Sequence, residues 1–228
     1  MAPETNSIIF VTFSIRTKGE RTSINGMIDP MIAFFAPKTA RFVLLEQPHP
    51  GSDTVIPFLE IYKNGKLNKK SNYFLTSWLF SPILKFNNIN RTQVSFKIRD
   101  FLSVFEFFLK DNQKFDLFIG LESINALAGI ILRKIGMVKK VVYYVSDYSP
   151  KRYKIPLVNN LYLSLDRFAA IHSDFVWDVS LAMLPARIKV GLDPNKVAPV
   201  IHVPNGLYKK QINYLPTSKI IPNSLIFV

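Results

Sequence analysis

The chain has 228 residues, enough for one large or two small domains, and 48% of them are apolar, so intrinsic disorder is excluded as the default state. Lysine and arginine number 29 against 16 acids, a formal charge of +13, so an anionic partner is expected: phosphate groups, nucleic acid or an acidic membrane. The complete absence of cysteine excludes disulfides, thiolate metal sites and thiol nucleophiles.

The first seven residues carry no basic residue and include Glu4, unlike the basic start and apolar core of a secretory signal, so a cytoplasmic location is expected. No apolar run reaches the roughly 18 residues that a spanning helix needs. Ile8, Ile9, Phe10 and Val11 form a continuous apolar run, which predicts a first strand buried on both faces of a parallel sheet. The polar segment 12–21 then reads as a loop at the carboxyl end of that strand, where open α/β sheets bind ligands. Its Arg16, Lys18, Gly19 and Arg21 are candidate substrate contacts, with a solvated basic loop as the alternative. The segment has no GxGxxG and so gives dinucleotide binding no support.

Residues 25–36 predict a helix interrupted by Pro30, and 41–45 a second strand. In the loop 46–53, His49 is either a base or phosphate contact or simply solvated. Between 61 and 99 stand eight cations and no acid, interleaved with the aromatic-rich run 73–86. One reading is a monotopic surface, with rings at headgroup depth and lysines on anionic lipid. Another is a buried strand and loop with solvated lysines. Single-stranded nucleic acid is the least favoured partner, because no RRM, KH or zinc-finger signature accompanies the patch.

Ile98, Phe101, Leu102, Phe105, Phe108 and Leu109 recur at helical spacing and predict a helix over 91–110. A strand over 115–120, a helix ended by Gly136 and a strand over 141–145 follow, the length of a right-handed crossover unit. The expected fold class is therefore α/β, a Rossmann-like parallel sheet with helices on both faces. Loops after the two strands leave from one sheet edge, so Glu122 and Asn125 are expected to share a cleft with Asp147, Lys151 and Arg152. The Arg152 fork suits a phosphate. Plainer roles stand beside these: a first-turn charge for Glu122 and a turn-ordering acid for Asp147. No metal site is expected.

Pro156 suits the first turn of a further helix, and Phe175, Val176 and Trp177 a short strand. Ser180 is the expected N-cap of a helix ended by Gly191 and kinked by Pro185. His202 reads as structural, in a strand before the turn Val203, Pro204, Asn205 and Gly206. Pro204, Asn205 and Gly206 form the expected hinge, which divides a domain over 1–203 from a linker over 204–223. The apolar residues 224–228 then read as the first strand of a second domain.

The order of these motifs carries a resemblance. Asp166-Arg167-Phe168-Ala169, Ser173-Asp174-Phe175-Val176, Ser180, Val203-Pro204-Asn205-Gly206 and Ser224-Leu225-Ile226-Phe227-Val228 together resemble the retaining glycosyltransferases of the GT-B fold, group 1 or family 4 type. The resemblance covers roughly 114–228. It implies the acceptor-binding half of an enzyme that moves a sugar from a nucleotide-sugar donor to a hydroxyl on a glycan or lipid-linked acceptor. It further implies that donor contacts come mainly from a second domain, that this stretch alone is inactive, and that no cofactor beyond the donor substrate is needed. A polar acceptor-side residue in the loop after the later strand falls on Asp147, without the histidine sometimes found there. Arg16, Lys18, Gly19, Arg21, Glu122, Asn125, Lys151 and Arg152 become acceptor-side candidates. The alternative is a non-catalytic basic protein peripheral to a membrane.

Overall fold

The computed structural model describes residues 6–22, 26–72, 74–86 and 94–205. Among them the chain forms β1 (Ser7–Thr17), β2 (Glu20–Thr22), α1 (Ile28–Phe35), a short 3-10 turn, β3 (Arg41–Pro48), β4 (Phe58–Lys63), β5 (Lys66–Ser71), α2 (Leu75–Phe86) and α3 (Val94–Asp111). Then come β6 (Phe115–Leu121), α4 (Glu122–Lys134), β7 (Val138–Val145), α5 (Pro156–His172), β8 (Phe175–Asp178), α6 (Met183–Lys189) and β9 (Val200–His202). The strands make one sheet in the order β5-β4-β3-β1-β6-β7-β8-β9, with β2 paired to β1. Every pair from β3 to β9 is parallel, while β4 and β5 extend one edge antiparallel.

Alternation along the strands builds two layers. Ile9, Val11, Val43 and Leu45 pack with Phe107, Phe108 and Ala128 from α3 and α4, whereas Ile8, Phe10, Phe42 and Leu44 pack with Met27 and Ile28 beside α1. This is the expected Rossmann-like arrangement. Two glycines bring α4 down onto β6. A Cβ on Gly129 would lie 2.5 Å from the Phe118 ring, and one on Gly120 would lie 2.7 Å from the Ala126 backbone nitrogen. The helix therefore begins directly at the strand's end, and Glu122 absorbs the change of direction with a φ of +67°. That left-handed conformation costs a non-glycine residue of order 1–3 kcal/mol and marks functional positions when the surroundings hold it in place.

A buried ion cluster ties α5, α6 and β8 together. Arg187 donates to Asp166 at 2.9 Å and to Asp178 at 2.8 Å, and the Tyr143 hydroxyl donates to Asp166 at 2.6 Å. Burial, with Asp166 beside it, pushes the Tyr143 hydroxyl well above its ordinary pKa. Two of the motif residues thus have structural work: Asp166 anchors this cluster, and Asp174 accepts from the Val141 amide at 2.8 Å and from Arg133.

Several local expectations are corrected. The polar segment 12–21 is no loop: β1 continues to Thr17 and returns through Lys18 and Gly19, both at positive φ, into β2. Its polarity misled because Arg16 is buried only with the help of Glu46, thirty residues away, at 2.5 Å. Pro30 does not interrupt α1; it lies in the first turn, whose N–H groups have no helical partner to lose. Within the aromatic run, Leu75–Phe86 is a helix, which continues through Pro82, and neither a strand nor a loop. Its start is fixed by Glu106, which accepts from the backbone amides of Leu75 and Thr76 at 2.6 and 2.8 Å. The last helix begins at Met183, with Ala182 and not Ser180 at its cap, so Pro185 falls in the first turn without a kink. Val203 donates to the Asp178 carbonyl at 2.9 Å, and Pro204 and Asn205 follow β9. Gly206, the rest of the expected linker and the strand expected over 224–228 lie outside the described residues.

Candidate functional site

In a parallel sheet the helices run back against the strands, so the carboxyl ends of the strands and the amino ends of the following helices share one edge. Here β1, β3, β6 and β7 deliver Phe13, His49, Glu122, and the pair Ser146 and Asp147 to that edge. The first turns of α3 add Phe96, Lys97 and Asp100, and the loop before α5 adds Arg152. Together they line a polar cleft of about 200 Å³. A second, apolar groove of about 320 Å³ adjoins it between α3, α4 and α5, and Lys97, Glu122 and Arg152 line both.

Glu122 sits at the floor, buried, with Oε1 accepting from the Ser146 hydroxyl at 3.2 Å. Burial raises its pKa above the ordinary carboxylate value, and Arg152, Lys97 and Ser146 only partly counter this. Arg152 donates to the carboxylate of Asp147 at 3.2 Å and to its carbonyl at 3.2 Å, with Tyr162 beneath the guanidinium. Burial works against its charge, but Glu122 and its neighbours outweigh that and raise its pKa further. His49 is shifted the other way, lowered by burial and then by Lys97. The Gly51 amide donates to His49 Nδ1 at 3.2 Å, so the neutral ring carries its proton on Nε2 and offers a donor. The cleft thus combines a carboxyl biased toward its neutral form, two cations, an exposed carboxylate and an imidazole donor.

A buried scaffold holds these groups. Arg99 donates to the carbonyls of Pro48 and Val55 at 2.7 and 3.1 Å and to Asp100 at 2.5 Å, which clamps both ends of the His49 loop to α3. Gln47 and Asn125 exchange reciprocal amide bonds at 2.9 and 2.8 Å, and Asn125 also donates to the Leu121 carbonyl at 2.9 Å. That network fixes the turn in which Glu122 sits.

Of the residues singled out in the sequence, His49, Glu122, Asp147 and Arg152 come together in the cleft. Asn125 lies behind it, engaged with Gln47. Lys151 is exposed and is not among the lining residues. Arg16 and Arg21 sit in the β1–β2 hairpin and pair with Glu46, while Arg21 also reaches Asp29 and Glu60, both at 3.0 Å. Lys18 and Gly19 form the hairpin turn, where the Lys18 amide meets Asp53 at 2.5 Å. These four stand apart from the lining of both cavities. Lys97, one of the eight cations of the basic stretch over 61–99, lines this cleft, and Ser146 joins it from the end of β7. The available signal for Lys97 was its place in the first turn of a helix that leads into a parallel strand. Among the described residues, no group of three or more His, Asp or Glu side chains is placed to hold a metal ion.

No protein-family profile and no curated protein sequence matches the chain. Among solved structures it is similar to the catalytic domain of starch synthase IV from Arabidopsis thaliana, bound to ADP and acarbose, with a TM-score of 0.51 and 10% identity. The match covers 90% of this chain and 52% of that one, so the chain spans about half of that domain's length. At that identity the likeness is one of fold: a Rossmann-like unit of the kind found in a GT-B glycosyltransferase. No described helix is long and apolar enough to cross a membrane.

Proposed function

We propose that the chain is the acceptor-side half of a GT-B glycosyltransferase, which receives a sugar from a nucleotide-sugar donor onto a hydroxyl of a glycan or lipid-linked acceptor. The observation that carries this is the strained, buried Glu122 at the carboxyl edge of the parallel sheet, surrounded by Lys97, Arg152, Ser146, Asp147 and His49. In such a site the acceptor hydroxyl is held between Asp147, the candidate base at the mouth, and Glu122 at the floor. Arg152 and Lys97 take an anionic group of the acceptor, and His49 donates a hydrogen bond. Stabilising the leaving nucleotide diphosphate needs further cations or helix amino ends, which fall to donor-side residues beyond this cleft. The hinge at Pro204, Asn205 and Gly206 is where the two sides meet in this reading, and the chain alone is inactive.

Calorimetry with nucleotide sugars and candidate acceptors, paired with a transfer assay, tests the reading on this chain and on one extended by about 150 residues of its gene, an ordinary domain length. Acceptor binding by the chain alone, transfer only by the extended protein, and loss of transfer in Asp147→Asn and Glu122→Gln are expected. Full turnover by the chain alone defeats the division of labour, and absence of binding to any acceptor defeats the function.

One observation favours a second reading. On α2, Leu75, Trp78 and Leu79 are exposed, Trp78 by 63%, and the neighbouring β5 carries Lys66, Lys69 and Lys70 outward. Aromatic and apolar side chains flanked by lysines suit the surface of an anionic membrane. Sedimentation with anionic vesicles that is lost in Trp78→Ser supports a peripheral location, and no sedimentation removes it.

A further inference from the structure

The apolar groove and the polar cleft are separate in character but continuous in space. The floor of the groove is α4, with Ile124 and Leu127; one wall is α3, with Ile98 and Phe101, and the other is α5, with Leu161 and Leu165. Both walls pack on α4. The residues shared with the polar cleft are two cations, Lys97 and Arg152, and the buried Glu122. Its volume of about 320 Å³ lies within the range of about 300–1,000 Å³ usual for small-molecule sites. An apolar trough that ends at two cations, and opens there onto a hydrogen-bonding cleft, is complementary to an amphiphile with one chain and one anionic head.

Building on the glycosyltransferase reading, we infer that the acceptor is a single amphiphilic molecule whose aliphatic chain lies in the groove between α3, α4 and α5. Its phosphate or similar anion meets Lys97 and Arg152, and its hydroxyl-bearing part extends toward Ser146, Asp147 and His49. The chain supplies affinity by removing apolar surface from water, and the two cations set how far it can slide along the groove. The hydroxyl is thereby placed at one depth in the cleft. The bare groove accounts for the exposure of Ile98 and Leu161, 45% and 57%, which the bound chain would cover.

The test uses monomeric alkyl phosphates below their micelle concentration, titrated calorimetrically into the full chain. Dodecyl phosphate should bind once per chain and about tenfold or more tighter than butyl phosphate, because the longer chain buries more methylenes. Leu161→Gln lines the groove on an already exposed position and should erase that chain-length advantage without unfolding the protein. Leu157→Gln, on the same helix but 80% exposed and outside the groove, should keep it. Arg152→Gln should weaken both probes. The inference fails if affinity does not depend on chain length, if the advantage survives Leu161→Gln, or if Leu157→Gln removes it equally. It also fails if anionic vesicles bind while monomeric dodecyl phosphate does not, which points to the surface of α2. A sugar acceptor that binds the polar cleft with no effect of chain length overturns this inference and leaves the proposed function standing. No binding of any head group in the cleft overturns both.

Discussion

Glu122→Gln keeps the side chain's shape and its left-handed backbone but removes its ionisation, so it isolates the price of a buried carboxylate. Burial raises the carboxyl's pKa in the folded chain, so the fold binds that proton more tightly than the unfolded chain does. The unfolded glutamate titrates near about 4.3. Below that value the carboxyl is protonated in both states, and its contribution to stability is fully present. As pH rises toward the folded-state value, wild type loses stability by up to about 1.4 kcal/mol per pH unit, and above it the loss is complete. The amide suffers no such loss, and it retains an oxygen to accept from Ser146. Urea unfolding of both proteins from about pH 4 to about pH 8 gives the difference at each pH, with all other titrating groups common to the pair. The variant's stability relative to wild type should grow as pH rises and then level off. A difference that is constant with pH, or that shrinks as pH rises, refutes the claim that burial biases this carboxyl toward its neutral form.

Gly129→Ala tests the close approach of α4 to the sheet. An alanine inside a helix ordinarily gains about 1 kcal/mol over glycine, but overpacking a core costs about 1–3 kcal/mol, and the new Cβ meets a fully buried Phe118 at 2.5 Å. The melting temperature should fall, and an unchanged or raised value in calorimetry contradicts the packing. Arg187→Met leaves Asp166 and Asp178 buried without their counter-charge, and should cost about 3–5 kcal/mol in denaturant unfolding. Adding Asp166→Asn and Asp178→Asn should recover much of that loss, whereas a persistent full deficit would mean that the guanidinium's packing on Tyr143 and Tyr148 dominates.

The parallel sheet was legible because its central strands are buried on both faces, so Ile8 to Val11, Leu44, Leu45 and Val141 to Val145 appear as unbroken apolar runs. The helices from α3 onward were legible from the helical recurrence of apolar residues. In α3, however, Ile98 and Leu109 of that recurrence are exposed, and the buried face holds Phe96, Val104 and Phe107 instead. What failed to show was structure stabilised by distant partners. Arg16 and Arg21 look like loop cations until Glu46 and Glu60 are placed beside them. The segment 74–86 hid its helix because its capping acid, Glu106, lies thirty residues onward in α3. The site was half visible for the same reason. Glu122 and Asp147 follow the ends of β6 and β7, and Arg152 lies in the loop that leads on to α5, so topology alone places them at an edge. His49 and Lys97 join them only because β3 runs three residues further than its apolar core, to Pro48, and Arg99 then folds the next loop onto α3.

The Arg99 clamp has a mechanical consequence. One buried guanidinium ties both ends of the His49 loop to α3, and α3 is at the same time a wall of the apolar groove. A displacement of α3 that spreads the groove is therefore expected to reach the imidazole in the neighbouring cleft. The two halves of a bound molecule would then be felt jointly, with the tail setting the alignment in which the head is met.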